Sequence, residues 1–277
     1  MPLELPGLIG PDGQVYLPGS RPASDAGKPA SVTRQNTFEG GTDTGAVTAA
    51  NSGGLSGDPF DNVGLGGAGA TVTYLAASAY HGTLGCRCAT TGTAVTAQID
   101  YRNSIGGLSS GAVYGRAYLR LPALPGAGTD VRVGRVSSPT DGFASDIRVN
   151  DSGQVALYTG PGVLIGATTA TVAANQWFRL EQAILNLDDA VGQLEIKLFL
   201  IPDGPLMYPT ETVTSAANID TLPAGGTVNR FRWGIGTATA NFAIDIDDLG
   251  WSTAGYLGPT GVPPEVPMLV SQYSGRW

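Results

Sequence analysis

Four carboxylates near the two ends of the chain are the residues best suited to chemistry. Glu39 sits in Phe38-Glu39-Gly40-Gly41, and three more sit in Asp245-Ile246-Asp247-Asp248. A calcium ion takes roughly six to eight hard oxygens, several of them carboxylate. Alternation along a strand puts Asp245 and Asp247 on one face and points Asp248 away. Glu39, Asp245 and Asp247 are therefore a candidate Ca2+ site, with the ion optional for the fold. Asp43, Asp58 and Asp61, in nearby Gly-rich loops, can add ligands. The competing reading is a set of solvated or Arg-paired edge carboxylates.

Tyr114, Arg116, Tyr118 and Arg120 form a second candidate, a ligand-binding face. Two aromatic rings and two guanidiniums on one strand face can stack on and hydrogen-bond a sugar. Arg132, Arg148, Arg230 and Arg232 are candidates to extend it. The same pattern also suits a surface where Arg stems cover aromatic rings, or a protein–protein contact. His81 is the only histidine and reads as a turn or surface residue. Cys86 and Cys88, two apart, share a strand face and read as small buried hydrophobes.

The elements that must position these groups are strands. Ala112 to Leu121 sets Ala117, Leu119 and Leu121 against Tyr114, Arg116, Tyr118 and Arg120. Gln176 to Leu185 sets Phe178, Leu180 and Ile184 against Trp177, Arg179 and Glu181. Leu194, Ile196, Leu198 and Leu200 alternate with Glu195, Lys197 and Phe199, and Phe231, Trp233 and Ile235 with Arg230 and Arg232. Each is a half-buried strand pattern. Asn150-Asp-Ser-Gly153 predicts a tight turn. About a dozen such runs without a helix predict an all-β, antiparallel two-sheet jelly-roll sandwich. The chain of 277 residues is long enough for one large sandwich. Its first and last strands are expected to lie side by side.

Composition removes some classes. A net charge of −8 argues against a nucleic-acid partner. No apolar run approaches the ~20 residues of a membrane span, and the N-terminus lacks a secretory leader, so assembly in the cytoplasm is expected. Residues 1–34 read as an extended N-terminal arm, 35–257 as the sandwich and 258–277 as a second, Pro-rich arm. Leu3, Leu5, Leu8, Met268, Leu269 and Trp277 are the apolar anchors through which the arms are expected to assemble the chain as a homo-oligomer.

Four segments carry a family resemblance. They are Asn36-Thr-Phe-Glu-Gly-Gly-Thr-Asp43, Ala79-Tyr-His-Gly82 followed by Cys86-Arg-Cys88, Asn175-Gln-Trp-Phe-Arg-Leu-Glu181, and Phe242-Ala-Ile-Asp-Ile-Asp-Asp-Leu249 with Gly258-Pro259. In this order they resemble the concanavalin A-like (laminin-G-like) jelly rolls, in the form found in virions of phages that infect actinobacteria. That resemblance implies a virion structural protein, minor tail or capsid decoration, whose partners are other virion proteins. It implies no catalysis. In similar carbohydrate-binding jelly rolls an opening-strand Glu and a closing-strand Asp share a structural Ca2+. A lectin-like module for attachment to host-surface glycan is the alternative. The Glu-x-Asp-x-x-Glu and Glu-x-Asp-x-Glu strands of jelly-roll glycoside hydrolases are missing, because the six glutamates (4, 39, 181, 195, 211 and 265) do not fall in that spacing. No Gly-x-Ser-x-Gly elbow is present, and Gly64-Leu-Gly-Gly-Ala-Gly69 lacks the lysine and helix of a phosphate loop. The sequence-level expectation is a non-enzymatic protein.

Overall fold

The computed structural model describes residues 34–92, 95–102, 107–138, 140, 142–223, 226–238 and 241–260, together with two short strands ahead of them. Those two, β1 (Leu8–Ile9) and β2 (Val15–Tyr16), pair antiparallel.

The rest is a two-sheet antiparallel sandwich of jelly-roll type. One sheet has seven strands in the order β12 (Leu164–Thr171), β11 (Gln154–Thr159), β10 (Phe143–Asn150), β9 (Asp130–Ser137), β16 (Arg230–Ala238), β7 (Val95–Arg102) and β4 (Asn62–Gly66). The other has eight. Its path runs β15 (Glu211–Thr214), β14 (Gln193–Phe199), β13 (Trp177–Asn186), β8 (Val113–Arg120), β17 (Phe242–Ser252), β6 (Gly85–Thr90) and β5 (Ala70–Leu75), and β3 (Arg34–Asn36) adds to β17. A single 3-10 turn, Ala76–Ser78, is the one helical element among the described residues.

Strand alternation sends apolar side chains inward from both sheets. Ile99, Val133, Ile147, Leu157, Phe231 and Trp233 of one sheet meet Leu119, Phe178, Leu180, Leu198, Ile244 and Ile246 of the other in one core. Each such side chain, fully buried, stabilises the fold by about 1.5–3 kcal/mol. Cys86 and Cys88 are buried in this core as free thiols. Gly115 lets the sheets close, since a Cβ there would overlap the Phe231 ring. The turn at Asn150 to Gly153 forms as expected, closed by Gly153 N–H donating to the Asn150 carbonyl, with Gly153 at φ 81°.

The first and last strands of the sandwich do pair, through Asn36 with Leu249, Gln35 with Gly250 and Arg34 with Trp251. The opening segment is shorter than its sequence suggests. The strand stops at Asn36, and Phe38 turns inward at φ 62° to pack on Phe60, ring centroids 5.5 Å apart. The β14 strand likewise ends at Phe199, and Leu200 is exposed.

Alternation also fails at one place that matters for the polar face. Between Asp247 and Gly250 the β17–β8 register gains one residue: Asp247 faces Tyr118, but Gly250 faces Arg116. Asp248 takes φ 48° in this bulge. A non-glycine residue in that region is held there by its surroundings.

Candidate functional site

The outer faces of the two sheets carry the candidate chemistry, and each is organised around buried aspartates. On the seven-stranded sheet the cross-strand register builds one polar row. Tyr158 on β11 faces Asp146 on β10, Asp146 faces Arg135 on β9, Arg135 faces Arg232 on β16, Arg232 faces Asp100 on β7, and Asp100 faces Asn62 on β4. With strands about 4.8 Å apart, the row spans roughly 24 Å across the sheet.

Asp146 is fully buried and anchors the row. Arg135 Nε donates to its Oδ1 at 2.6 Å and Arg132 Nε to its Oδ2 at 3.0 Å, while Arg148 Nη2 lies 3.5 Å from Oδ2. Asp100 similarly receives Arg102 Nε at 2.9 Å and lies 3.3 Å from Arg232 Nε. Burial raises the Asp100 carboxyl above its ordinary value, against the pull of Arg102, Arg232 and Arg230. Among the described residues, six guanidiniums (Arg102, Arg132, Arg135, Arg148, Arg230, Arg232) thus meet three carboxylates, Asp100, Asp130 and Asp146. The face is locally cationic on an acidic chain. Burial, with the like charges of Arg135 and Arg148 beside it, holds Arg132 below its usual value even with Asp146 opposing. Two half-buried rings complete the face: Arg135 lies 3.7 Å from the Phe143 centroid and Arg148 4.3 Å from that of Tyr158.

The eight-stranded sheet holds most of the residues that the sequence singled out. Asp245 is fully buried, gripped by Arg87 Nε at 2.7 Å, Arg120 Nε at 2.9 Å and the Ser78 hydroxyl at 2.6 Å. Asp247 accepts the backbone N–H groups of Tyr80 and His81 at 2.8 and 2.9 Å. Glu39 accepts from Thr83 and Leu84 N–H groups further along the same loop. The proposed Ca2+ ligands therefore each serve arginines or backbone donors. Among the described residues no three His, Cys, Asp or Glu are placed to hold a metal ion. The flanking Asp43, Asp58 and Asp61 accept from Ala76 N, Gln35 N and Arg102 N, and so fasten strand ends.

Asp248 does not point away, as alternation required. The bulge turns it to His81, whose Nδ1 lies 2.5 Å from its carboxylate, and His81 Nε2 lies 3.3 Å from Asp203. Tyr80 and Tyr118 hydroxyls also donate to Asp203, at 3.0 and 2.9 Å. Burial pulls the imidazole down, yet Asp203 and Asp248 raise it to about 9, so it is cationic at neutral pH. His81 does lie in a turn and is partly exposed, and it is also part of a built cluster. Its only sequence signal was its type.

Of the predicted sugar face, Tyr114, Arg116, Tyr118 and Arg120 do share one side of β8. Much of it is roofed. Arg116 donates to the carbonyls of Asp248 and Gly258, Thr260 N–H donates to the Tyr118 hydroxyl, and Tyr256 packs edge-on against Tyr114 at 4.9 Å. Below this cover Glu181 is fully buried, and burial pushes its carboxyl up to about 7 despite Arg179 and Arg116. Arg132, Arg148, Arg230 and Arg232 do not extend this face, because their strands belong to the other sheet. Of the arm anchors, Leu3, Leu5, Met268, Leu269 and Trp277 lie outside the described residues, and only the backbone pairing of Leu8 is described.

No protein-family model matches the chain, and no curated protein matches it significantly. Among solved structures it is similar to an endo-β-1,4-glucuronan lyase from the fungus Trichoderma reesei, with TM-score 0.54 and 15% identity over 76% of this chain and 94% of that one. It is also similar to the marine PL-14 alginate lyase from Aplysia kurodai, with TM-score 0.54 and 10% identity over 81% and 100%. A third is the cellulose-induced protein Cip1, with TM-score 0.52 and 14% identity over 81% and 98%. At these identities the likeness shows a shared fold.

The fold's company corrects the functional expectations drawn from the sequence. Lyases acting on polysaccharide stand where phage virion proteins were expected, so the virion, minor-tail and capsid-decoration reading is withdrawn. The non-enzymatic assignment is withdrawn with it. The physical reason is plain in both cases. The segments that carried the virion resemblance fall on strands and turns of the sandwich, and a fold leaves function open. The missing paired glutamates count against one hydrolytic mechanism, and eliminative cleavage does not use them.

Proposed function

We propose that this chain is a carbohydrate-active protein that holds an acidic, uronate-type polysaccharide across the outer face of the seven-stranded sheet. The observation that carries this reading is the row Tyr158–Asp146–Arg135–Arg232–Asp100–Asn62, one residue from each of six adjacent strands. Buried aspartates hold the guanidiniums in place, and among the described residues of this face the guanidiniums outnumber the carboxylates, which favours an anionic ligand. Planar guanidinium forks match carboxylates, and Phe143 and Tyr158 offer ring faces beside them. The similar structures named for glucuronan and alginate lyases act on polymers of this charge.

Neutralising a uronate carboxylate also acidifies the carbon-bound proton next to it, the first requirement of β-elimination. Arg135 and Arg232 are the groups we assign to that neutralisation, and Tyr158 supplies a hydroxyl on the same face. Incubation with glucuronan or alginate should give binding at low salt and a rise in ultraviolet absorbance from the unsaturated product. Neutral and acidic polymers binding alike, with no such rise, would overturn the reading.

A further inference from the structure

The cluster around His81 has a half-buried surface of its own, and its chemistry differs from that of the arginine face. Trp177 is the only described tryptophan that is not buried. Its ring lies 5.4 Å from that of Tyr80, and Arg120 sits 5.1 Å over it. Tyr80 stacks in turn on Tyr118 at 5.1 Å, which fixes the orientation of the platform from beneath. Around the rings stand the exposed Asp203 and the half-buried Arg87 and Arg120.

Two features mark this patch as built. The loop that carries Tyr80 and His81 is pinned along its length, with Ser78 on Asp245, Tyr80 N and His81 N on Asp247, His81 on Asp248, and Thr83 on Glu39. Asp248 is held at φ 48° in a β-bulge to meet the imidazole, and such strain persists where the surroundings specify it. Charges here are matched locally: Arg87 and Arg120 against Asp245, and His81 against Asp203 and Asp248. With Asp247 the carboxylates here outnumber the cations, so the patch has no positive surplus to attract an acidic sugar.

We propose that Trp177, Tyr80, Asp203, Arg120 and Arg87 form a second sugar site, specific for neutral pyranose chains. The apolar face of a neutral ring stacks on Trp177. Its hydroxyls donate to Asp203 and accept from the guanidinium edges of Arg120 and Arg87. This site lies on the opposite sheet from the acidic-polysaccharide face and does not depend on that assignment.

The test is calorimetric titration of the full chain with cellohexaose and mannohexaose, in parallel with glucuronan. At least one neutral oligosaccharide should bind, with affinity unchanged between 0.05 and about 0.5 M salt, since no net charge is involved. Trp177→Leu should weaken that binding about tenfold or more, Trp177→Phe should retain most of it, and Arg135→Ala should leave it unchanged. Failure of both neutral probes to bind, or equal binding by Trp177→Leu, would overturn the second site, whatever glucuronan does. Loss of glucuronan binding alone would count against the first site and leave the second standing.

Discussion

The outer faces of the two sheets use the same device to opposite ends. Each buries an aspartate and surrounds it with arginines: Asp146 with Arg132, Arg135 and Arg148, and Asp245 with Arg87 and Arg120. On the seven-stranded sheet, among the described residues, the arginines exceed the carboxylates, and the rings of Phe143 and Tyr158 lie against Arg135 and Arg148. On the eight-stranded sheet the arginines around Asp245 do not outnumber the carboxylates of the cluster, and loops and the segment up to Thr260 cover the middle of the face. A buried carboxylate can thus present cations to solvent or lock a covering loop in place, and the count of partners decides which.

The largest effects should come from removing the two anchors. Asp146→Ala and Asp245→Ala each strand guanidiniums beside a buried cavity and should cost about 3–5 kcal/mol in denaturant unfolding. The comparison sharpens in local hydrogen exchange. Asp245→Ala should also raise exchange at residues 76–84, because Ser78 and Arg120 lose their common partner, while Asp146→Ala should leave that loop protected. Equal loop protection in both variants would break the distinction drawn between the faces.

Next in size are single arginines. Arg135→Ala or Arg232→Ala should weaken glucuronan binding by about tenfold or more, the scale of one charge-assisted hydrogen bond, and Arg120→Ala should not. Salt should separate the faces in the same direction. Screening shortens from about 10 Å at 0.1 M to about 3 Å at 1 M, so acidic-polymer binding should fall steeply across that range while the fold is retained.

The smallest effect is the pH response of His81. Its pKa in the fold, about 9, lies above the unfolded value of 6.5, so its contribution is complete below about 6.5 and is lost as pH rises through 9. The wild-type Tm should fall over that window by about 2–5 °C more than that of His81→Gln. Parallel pH profiles would show that Asp203 and Asp248 do not hold the imidazolium.

The sandwich was legible in the sequence because its strands obey a period of two. Ala117, Leu119 and Leu121 against Tyr118 and Arg120, and Phe178 and Leu180 against Trp177 and Arg179, give each strand its inward face. The grouping of side chains on one strand was therefore readable. Which strands share a sheet was not, since that depends on long-range pairing. Arg132, Arg148, Arg230 and Arg232 were consequently assigned to the face of Arg116 and Arg120 although they line the other sheet. The row from Tyr158 to Asn62 exists only through cross-strand register over six strands, which no local pattern encodes. Asp248 was misplaced for a different reason: one extra residue in a bulge reverses every side chain beyond it. The partner of His81 was hidden by that reversal. Function was the least legible of all, because the residues that gave the family resemblance are those that make the sandwich.

The most direct test of the account compares glucuronan with its carboxyl-reduced, neutral counterpart in titrations of the full-length Trp177→Leu variant at low salt, in which the neutral-sugar site does not contribute. The polymer backbone is the same, and only the carboxylates differ. The arginine row predicts that glucuronan binds at least tenfold more tightly, and that Arg135→Ala and Arg232→Ala remove that advantage. Equal affinity for the two polymers, or an advantage that survives in both variants, would contradict it.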